Sequence, residues 1–262
     1  MTKYFDIHSH INLDPLLANK DEVIKRLEEN EVGTITIGTD YDMSLEAIEL
    51  AEANENLYAG VGLHPNDNLE EVFDFEKYKD LASNSKVVCI GETGLDYFRG
   101  EDETKKTHQK EIFKKHIELA IALGKPLMIH ARPSKGTQDA YNDVLDILEE
   151  YKNINPNLHA NFHFFVGDIE VAKRILKNNW TVSFDGPITF ARDYDEVIKF
   201  MPILNIMCET DAPFAAPVPH RGKTCEPFMV IEVYKKIAEL KSLDLEFTTL
   251  KIRENVKRVF GI

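Results

Sequence analysis

Cysteine is scarce in this chain of 262 residues. There are three, Cys89, Cys208 and Cys225, an odd number with no C-x-x-C spacing. That pattern excludes a structural zinc site built on cysteine and gives no reason to expect a disulfide framework. Basic charge is also short. There are 31 Lys and Arg against 45 Asp and Glu, a formal net charge of −14, which argues against a broad basic surface for gripping nucleic acid. No apolar run approaches the roughly 18 residues of a membrane span, and Met1–His8 lacks the apolar segment of a signal peptide. Internal repeats, low-complexity tracts and long flexible linkers are missing too. A cytoplasmic protein that does not enter membranes is the expectation.

What is present is ordinary in amount and uneven in place. Hydrophobic residues make up 43% and charged residues 29%, enough apolar material for a core that needs no staple. Residues 1–100 hold 8 basic and 21 acidic side chains, residues 101–200 hold 14 and 16, and residues 201–262 hold 9 and 8. Nearly all the excess acidity therefore lies in the first third, where it reads as decoration of solvated helices.

Short β-branched and aromatic runs recur, each followed by a helical pattern. Candidate strands are Tyr4–His8, Thr34–Gly38, Tyr58–Gly62, Val87–Glu92, Pro126–His130, Leu158–His163, Trp180–Asp185 and Ile206–Asp211. The clearest helix is Thr107–Gly124, with Ile112, Phe113, Ile117, Ala120 and Ile121 on one face and Gly124 and Pro126 as its stop. Strands alternating with such helices imply parallel βαβ units. Eight units in about 260 residues predict an α/β fold, a (β/α)8 TIM barrel forming a single domain over 1–262.

A barrel of this kind gathers its chemistry at the C-terminal strand ends. Period-2 alternation predicts that Asp6, His8 and His10 share a face. The other strands end in Gly91-Glu92-Thr93-Gly94, Ile129-His130-Ala131-Arg132, Phe162-His163-Phe164 and Glu209-Thr210-Asp211-Ala212-Pro213. Singly these signals are weak. With nine histidines in the chain, about 0.3 H-x-H pairs are expected by chance. Together, His8, His10, Glu92, His130, His163 and Asp211 would be costly to bury on one rim without a cation. Imidazoles and carboxylates without thiolate suit Zn²⁺, Mn²⁺ or Mg²⁺ with open water positions. Six groups are too many for one tetrahedral ion and fit two divalent metal ions sharing a carboxylate, the usual arrangement for attack on a phosphodiester.

Several stretches then carry a family likeness: Asp6–His10, Gly62-Leu63-His64-Pro65, Gly91–Tyr97, Lys125–Arg132, His163–Gly167 and Glu209–Phe214, followed by Pro217–Lys223, Glu254-Asn255-Val256 and Phe260-Gly261. In this the sequence resembles the TatD family of metal-dependent deoxyribonucleases, among the amidohydrolase-like barrels, over essentially the whole chain. The resemblance implies one metal held by His8, His10, Glu92 and Asp211 and a second by Glu92, His130 and His163. Glu92 would bridge them, and Asp211 would orient or deprotonate the attacking water. It implies His64, Arg132 and Arg221 as phosphate-gripping residues. The implied activity is hydrolysis of DNA from the 3′ end of single strands, by a monomer, with RNA as a further partner in some members. Departures from the family pattern fall at Phe164 and Val166, where Cys and Ser are usual, and at Cys225, where Asn is usual.

Other residues take lesser roles in this reading. Asp6 and Glu209 are open between steadying a histidine and bonding backbone. His159, His108 and His116 read as structural or surface residues. His220 is open between reaching the mouth and standing aside. Cys89 and Cys208 lie three residues before Glu92 and Asp211, so alternation predicts that both face the helix layer. Cys225 is the one thiol with a reactivity question. The loop 212–227, with four of the chain's 11 prolines, reads as a stiff loop holding Arg221 and Lys223 over the mouth. The rival readings are a binuclear amidohydrolase or esterase, such as a deacylase of aminoacyl-tRNA, and a non-catalytic nucleic-acid-binding barrel. Glu92, where such amidohydrolases carry a modified lysine, weighs against the first, and the complete ligand set against the second. The charge balance predicts contact with few phosphates and a shallow salt dependence.

Overall fold

Eight parallel strands run in chain order around one sheet. The computed structural model describes residues 2–66, 71–98 and 102–262. Strand β1 is Tyr4–Ser9, β2 Val32–Ile37, β3 Leu57–Val61, β4 Val87–Asp96, β5 Leu127–Arg132, β6 Ala160–Phe162, β7 Thr181–Phe184 and β8 Ile206–Cys208. Between them lie α1 (Lys20–Glu29), α2 (Tyr41–Glu52), α3 (Phe75–Ala82), α4 (Glu103–Leu123), α5 (Asp139–Ile154), α6 (Ile169–Lys177) and α7 (Asp195–Phe200). Helices α8 (Val230–Lys241) and α9 (Leu245–Phe260) follow the last strand. Each strand pairs in parallel with the next. A bridge from Ser9 to Ala212 brings the segment after β8 back to β1. This is the (β/α)8 barrel, and it contains no described helix long and apolar enough to cross a membrane.

The expected helix at 107–124 begins earlier, where the Asp102 carboxylate accepts from Thr104 N, and ends on left-handed Gly124. The strands differ from expectation at the mouth. Strand β4 continues through Glu92 to Asp96, while β6, β7 and β8 stop before His163, Asp185 and Glu209. His163 N and Glu209 N still bond to Ile129 O and Phe184 O of the neighbouring strands, and side chains take the N–H of the residue after each. Asp6 accepts from Thr210 N at 3.0 Å, and Glu209 accepts from Phe164 N.

Two register slips shape the site. One falls in β1 between Asp6 and Ser9, the other in β4 between Ile90 and Thr93. Such bulges commonly re-aim side chains beside active sites. The second corrects the placement of Cys89. It packs with Phe5, Ile7, Ile35, Met128 and Met207, side chains of β1, β2, β5 and β8 that can meet only inside the barrel. Cys89 and Glu92 therefore both face inward, because the extra residue at the bulge breaks the alternation. Cys208 does face the helix layer, packed in the outer core with residues such as Tyr234 of α8.

Candidate metal centre

At the floor of the mouth, four ligand atoms converge from three strand ends. His8 Nε2 lies 3.2 Å from His10 Nε2. It is 3.5 Å from Glu92 Oε2 and 3.6 Å from Asp211 Oδ1. His10 Nε2 is 3.4 Å from Asp211 Oδ1 and 3.8 Å from Glu92 Oε2. Ligands about 2.0–2.1 Å from a tetrahedral ion stand about 3.4 Å apart, so this set has the spacing of a coordination shell. Two imidazole nitrogens facing each other at van der Waals separation also need a cation or a proton between them.

The other oxygen of Glu92 faces a second set. Oε1 lies 2.8 Å from His130 Nδ1 and 2.8 Å from His163 Nε2. The His8 and His163 rings stack at 3.9 Å. Glu92 thus stands between the two groups with one oxygen toward each. His8, His10 and Asp211, and Glu92, His130 and His163, are each close enough to hold one ion. Donor types and spacing fit divalent metal.

The electrostatics are those of carboxylates held charged among imidazoles. Burial pushes the Glu92 carboxyl up, but the imidazoles of His163, His64 and His130 more than offset it and hold it well below the usual range. For Asp211, burial is likewise outweighed by His10 and His8, and its carboxyl is lowered. His163 is raised well above the usual imidazole range, Glu92 and Glu209 overcoming its burial. Asp211 is held at φ 53°, in the left-handed region, where a non-glycine residue is uncommon and such strain clusters at functional sites.

Behind the ligands, further contacts fix the rings. His10 Nδ1 bonds to Ile37 O at 2.9 Å, which leaves Nε2 with its lone pair toward the site. Glu209 Oε1 lies 3.4 Å from His163 Nδ1, and its Oε2 accepts from Ser183 Oγ. Glu209 thus does both things left open above, since the same Oε1 accepts from Phe164 N. Asp6 bonds backbone and a hydroxyl alone. Its carboxylate accepts from His8 N, Thr210 N and Thr210 Oγ1, clamping β1 to the chain beyond β8 without touching an imidazole. The slip in β1 separates it from the face of His8. Asp96 was given no role in the sequence, yet it is buried with Oδ2 3.4 Å from His130 Nε2. Its signal was the strand relation to Glu92, four residues apart and so on one face.

His64 sits 3.6 Å from Glu92 Oε1 through Nε2. Its Nδ1 accepts from Asn66 N at 3.2 Å, so in the neutral ring Nε2 carries the hydrogen. His64 therefore presents a donor to the mouth. The mouth is a cavity of about 730 Å³, and Arg132, Phe164, Val166 and Phe214 are in its wall with the ligands.

Arg221 is not brought into this cavity. Its guanidinium lies over the Phe190 ring, 3.9 Å from the centroid. His220 packs edge-on against Phe228. Cys225 is fully buried, bonded through its N–H to Pro213 O, and burial pushes its thiol up. It is a core residue, and its reactivity question closes. His116 is buried in packing and His108 is exposed. His159, half-buried, lies just before β6 and away from the mouth.

Comparison with known proteins places this geometry. The family model described as TatD related DNase matches residues 5–261. A metal-dependent hydrolase of Bacillus subtilis, YabD, is 38% identical, covering 98% of this chain and 99% of its own. The metal-dependent hydrolase TatD of Mycobacterium tuberculosis is 32% identical over 98% of both. The solved structure of YjjV, a TatD homologue from Escherichia coli, superposes with a TM-score of 0.89 at 24% identity, covering 99% of this chain and 98% of that one, and shows the same fold. The chain belongs to the TatD family of metal-dependent hydrolases.

Proposed function

We propose that the chain is a divalent-metal-dependent phosphodiesterase that hydrolyses DNA, acting as a 3′–5′ exodeoxyribonuclease on single strands. The observation that carries this reading is Glu92, with one oxygen toward His8 and His10 and the other toward His130 and His163. A single carboxylate between two ligand groups is the arrangement of paired ions that serve both the attacking and leaving oxygens of a phosphodiester. One ion would be held by His8, His10, Glu92 and Asp211, the second by Glu92, His130 and His163. Ions there supply Lewis acidity at phosphorus and acidify water for attack near neutral pH.

The chain's own residues do the rest. Asp211, held ionised, orients the attacking water and takes its proton. The His64 Nε2–H and the Arg132 guanidinium donate to phosphate oxygens as charge develops on them. Water oxygen bonds to phosphorus, the bond to the 3′ oxygen breaks, and that oxygen leaves with a proton. The recessed floor favours a strand end over the middle of a duplex. Arg221, on Phe190, is left outside this assignment.

The test compares 3′-labelled and 5′-labelled single-stranded DNA, with Mg²⁺, Mn²⁺ or Zn²⁺ and with chelator. Asp211→Asn should lower kcat by about 10²–10⁴, and Glu92→Ala should remove measurable cleavage. Chelator-resistant cleavage, or full activity in both variants, would overturn the reading.

A further inference from the structure

Beside the metal mouth lies a second cavity of about 630 Å³, lined by residues including Phe98, Arg132, Lys135, Gln138 and Val166. Arg132 and Val166 belong to both walls, so the two spaces adjoin at these side chains. Nothing in the reaction as derived uses the second one.

Its make-up is specific. Phe98, two residues past β4, remains 48% exposed although the Arg132 guanidinium lies over its ring, 4.2 Å from the centroid. A large aromatic left this open needs a reason. Lys135 is exposed on the far side, in a short loop whose turn is closed by Thr137 N on Ser134 O at 3.0 Å and whose Ser134 N bonds to Asp139. Gln138 Oε1 has no hydrogen-bond partner among the described residues. The one acid in the lining, Asp168, is occupied as the cap of α6, accepting from Val171 N.

An open aromatic face flanked by cations, leading straight from a phosphodiester-cleaving site, matches how single strands are held. Bases stack on aromatics and the backbone follows the positive charge. We propose that this shelf is a binding subsite for the retained strand. The base next to the cleaved nucleotide stacks on Phe98, and its phosphates lie against Arg132 and Lys135. The proposal rests on the DNA reading above and adds a preference for strands longer than a dinucleotide.

Phe98→Ala, Phe98→Trp and Lys135→Ala sit at exposed positions and should leave the melting temperature unchanged. The substrates are oligothymidylates of two, three, five and ten nucleotides, with bis(p-nitrophenyl) phosphate as a diester too small for the shelf. For the wild type, kcat/KM should rise from two to three nucleotides. Phe98→Ala should lose about tenfold on the longer strands, keep its rate on the small diester, and be rescued by Phe98→Trp. Fluorescence anisotropy of a labelled ten-mer on chelated protein should show a similar loss of affinity for Phe98→Ala. Lys135→Ala should make the log–log salt slope shallower by about 0.7. Phe98→Ala indistinguishable from wild type at every length and in binding would overturn the shelf while leaving DNA cleavage intact. A wild type that hydrolyses the small diester and no oligonucleotide would overturn the DNA reading, and the shelf with it.

Discussion

His116 shows how far one buried side chain can be argued. Leu63 N donates to its Nε2 at 2.9 Å, and its Nδ1 lies 2.9 Å from Ile112 O. Only the neutral ring with hydrogen on Nδ1 satisfies both. Burial lowers its pKa to about 4, below the 6.5 of an exposed imidazole. As pH falls, the unfolded chain takes up this proton first. The contribution is therefore whole above about 6.5 and lost progressively down to about 4, amounting to about 3 kcal/mol. Urea unfolding of wild type and His116→Gln should show a stability gap at pH 7.5 that narrows by pH 4.5. Parallel pH profiles would contradict the assignment. A helix histidine in sequence gave no hint of this, because its partner at Leu63 is 53 residues away. The six candidate ligands were legible for the opposite reason. Each is a chemically distinctive residue at the end of a run that reads as a strand by itself. Asp6, Glu209 and Asp96 look alike by that standard. Only the neighbouring strand decides that the first clamps backbone while the other two back His163 and His130.

Strand β4 carries the element-scale lesson. Its eight-strand pattern and parallel order followed from alternation and spacing, but alternation assumes an unbroken ladder. The slip between Ile90 and Thr93 breaks it, which is why Cys89 turns inward against expectation. Glycine permits the path. A Cβ on Gly94, at φ +144°, would stand 2.0 Å from His130 O, and one on Gly91, at φ +148°, 2.4 Å from Met128 O. The backbones of β4 and β5 thus approach closely where Glu92 and His130 must meet. Gly94→Ala should cost more than about 3 kcal/mol in urea unfolding, since a strained φ adds to the clash. It should also weaken metal binding, because the displaced carbonyl belongs to His130 itself. Gly124 provides the control. It too is left-handed, at φ +63°, but a Cβ there meets nothing within 4 Å, so Gly124→Ala should cost only about 1 kcal/mol. Equal losses in the two variants would mean that φ alone matters and that the approach of the strands does not.

Across the whole molecule, the acidity and the metal centre divide the charge between outside and inside. Part of the excess acid of the first 100 residues lies on exposed positions of α1, α2 and α3, such as Asp21, Glu28, Asp42, Glu49, Glu52 and Asp80. The carboxylates that matter chemically, Glu92 and Asp211, are few and sit among imidazoles. A net charge of −14 is thus compatible with the phosphate-handling mouth proposed above, since cations held there would bring positive charge to one place. Such ions would then contribute to folding stability, because the ligand sets exist only where β1, β4, β5 and the chain beyond β6 and β8 come together. An ion at about 100 times its Kd adds about 2.7 kcal/mol, and in a chain of this size each kcal/mol raises Tm by about 2–4 °C. Adding Mn²⁺ or Zn²⁺ to chelated protein should therefore raise Tm by about 5–10 °C for one occupied set, and by more when both fill. His163→Asn removes a ligand atom of the second set alone, although its ring also stacks on His8, and should retain part of the shift. Glu92→Gln changes the one carboxylate that faces both sets and should reduce the shift more than either single-set variant, His10→Asn or His163→Asn. Scanning calorimetry of the four proteins with and without metal separates these cases. A full shift retained in Glu92→Gln would mean that the two ligand groups do not share that residue, and the paired-ion reading would fall with it.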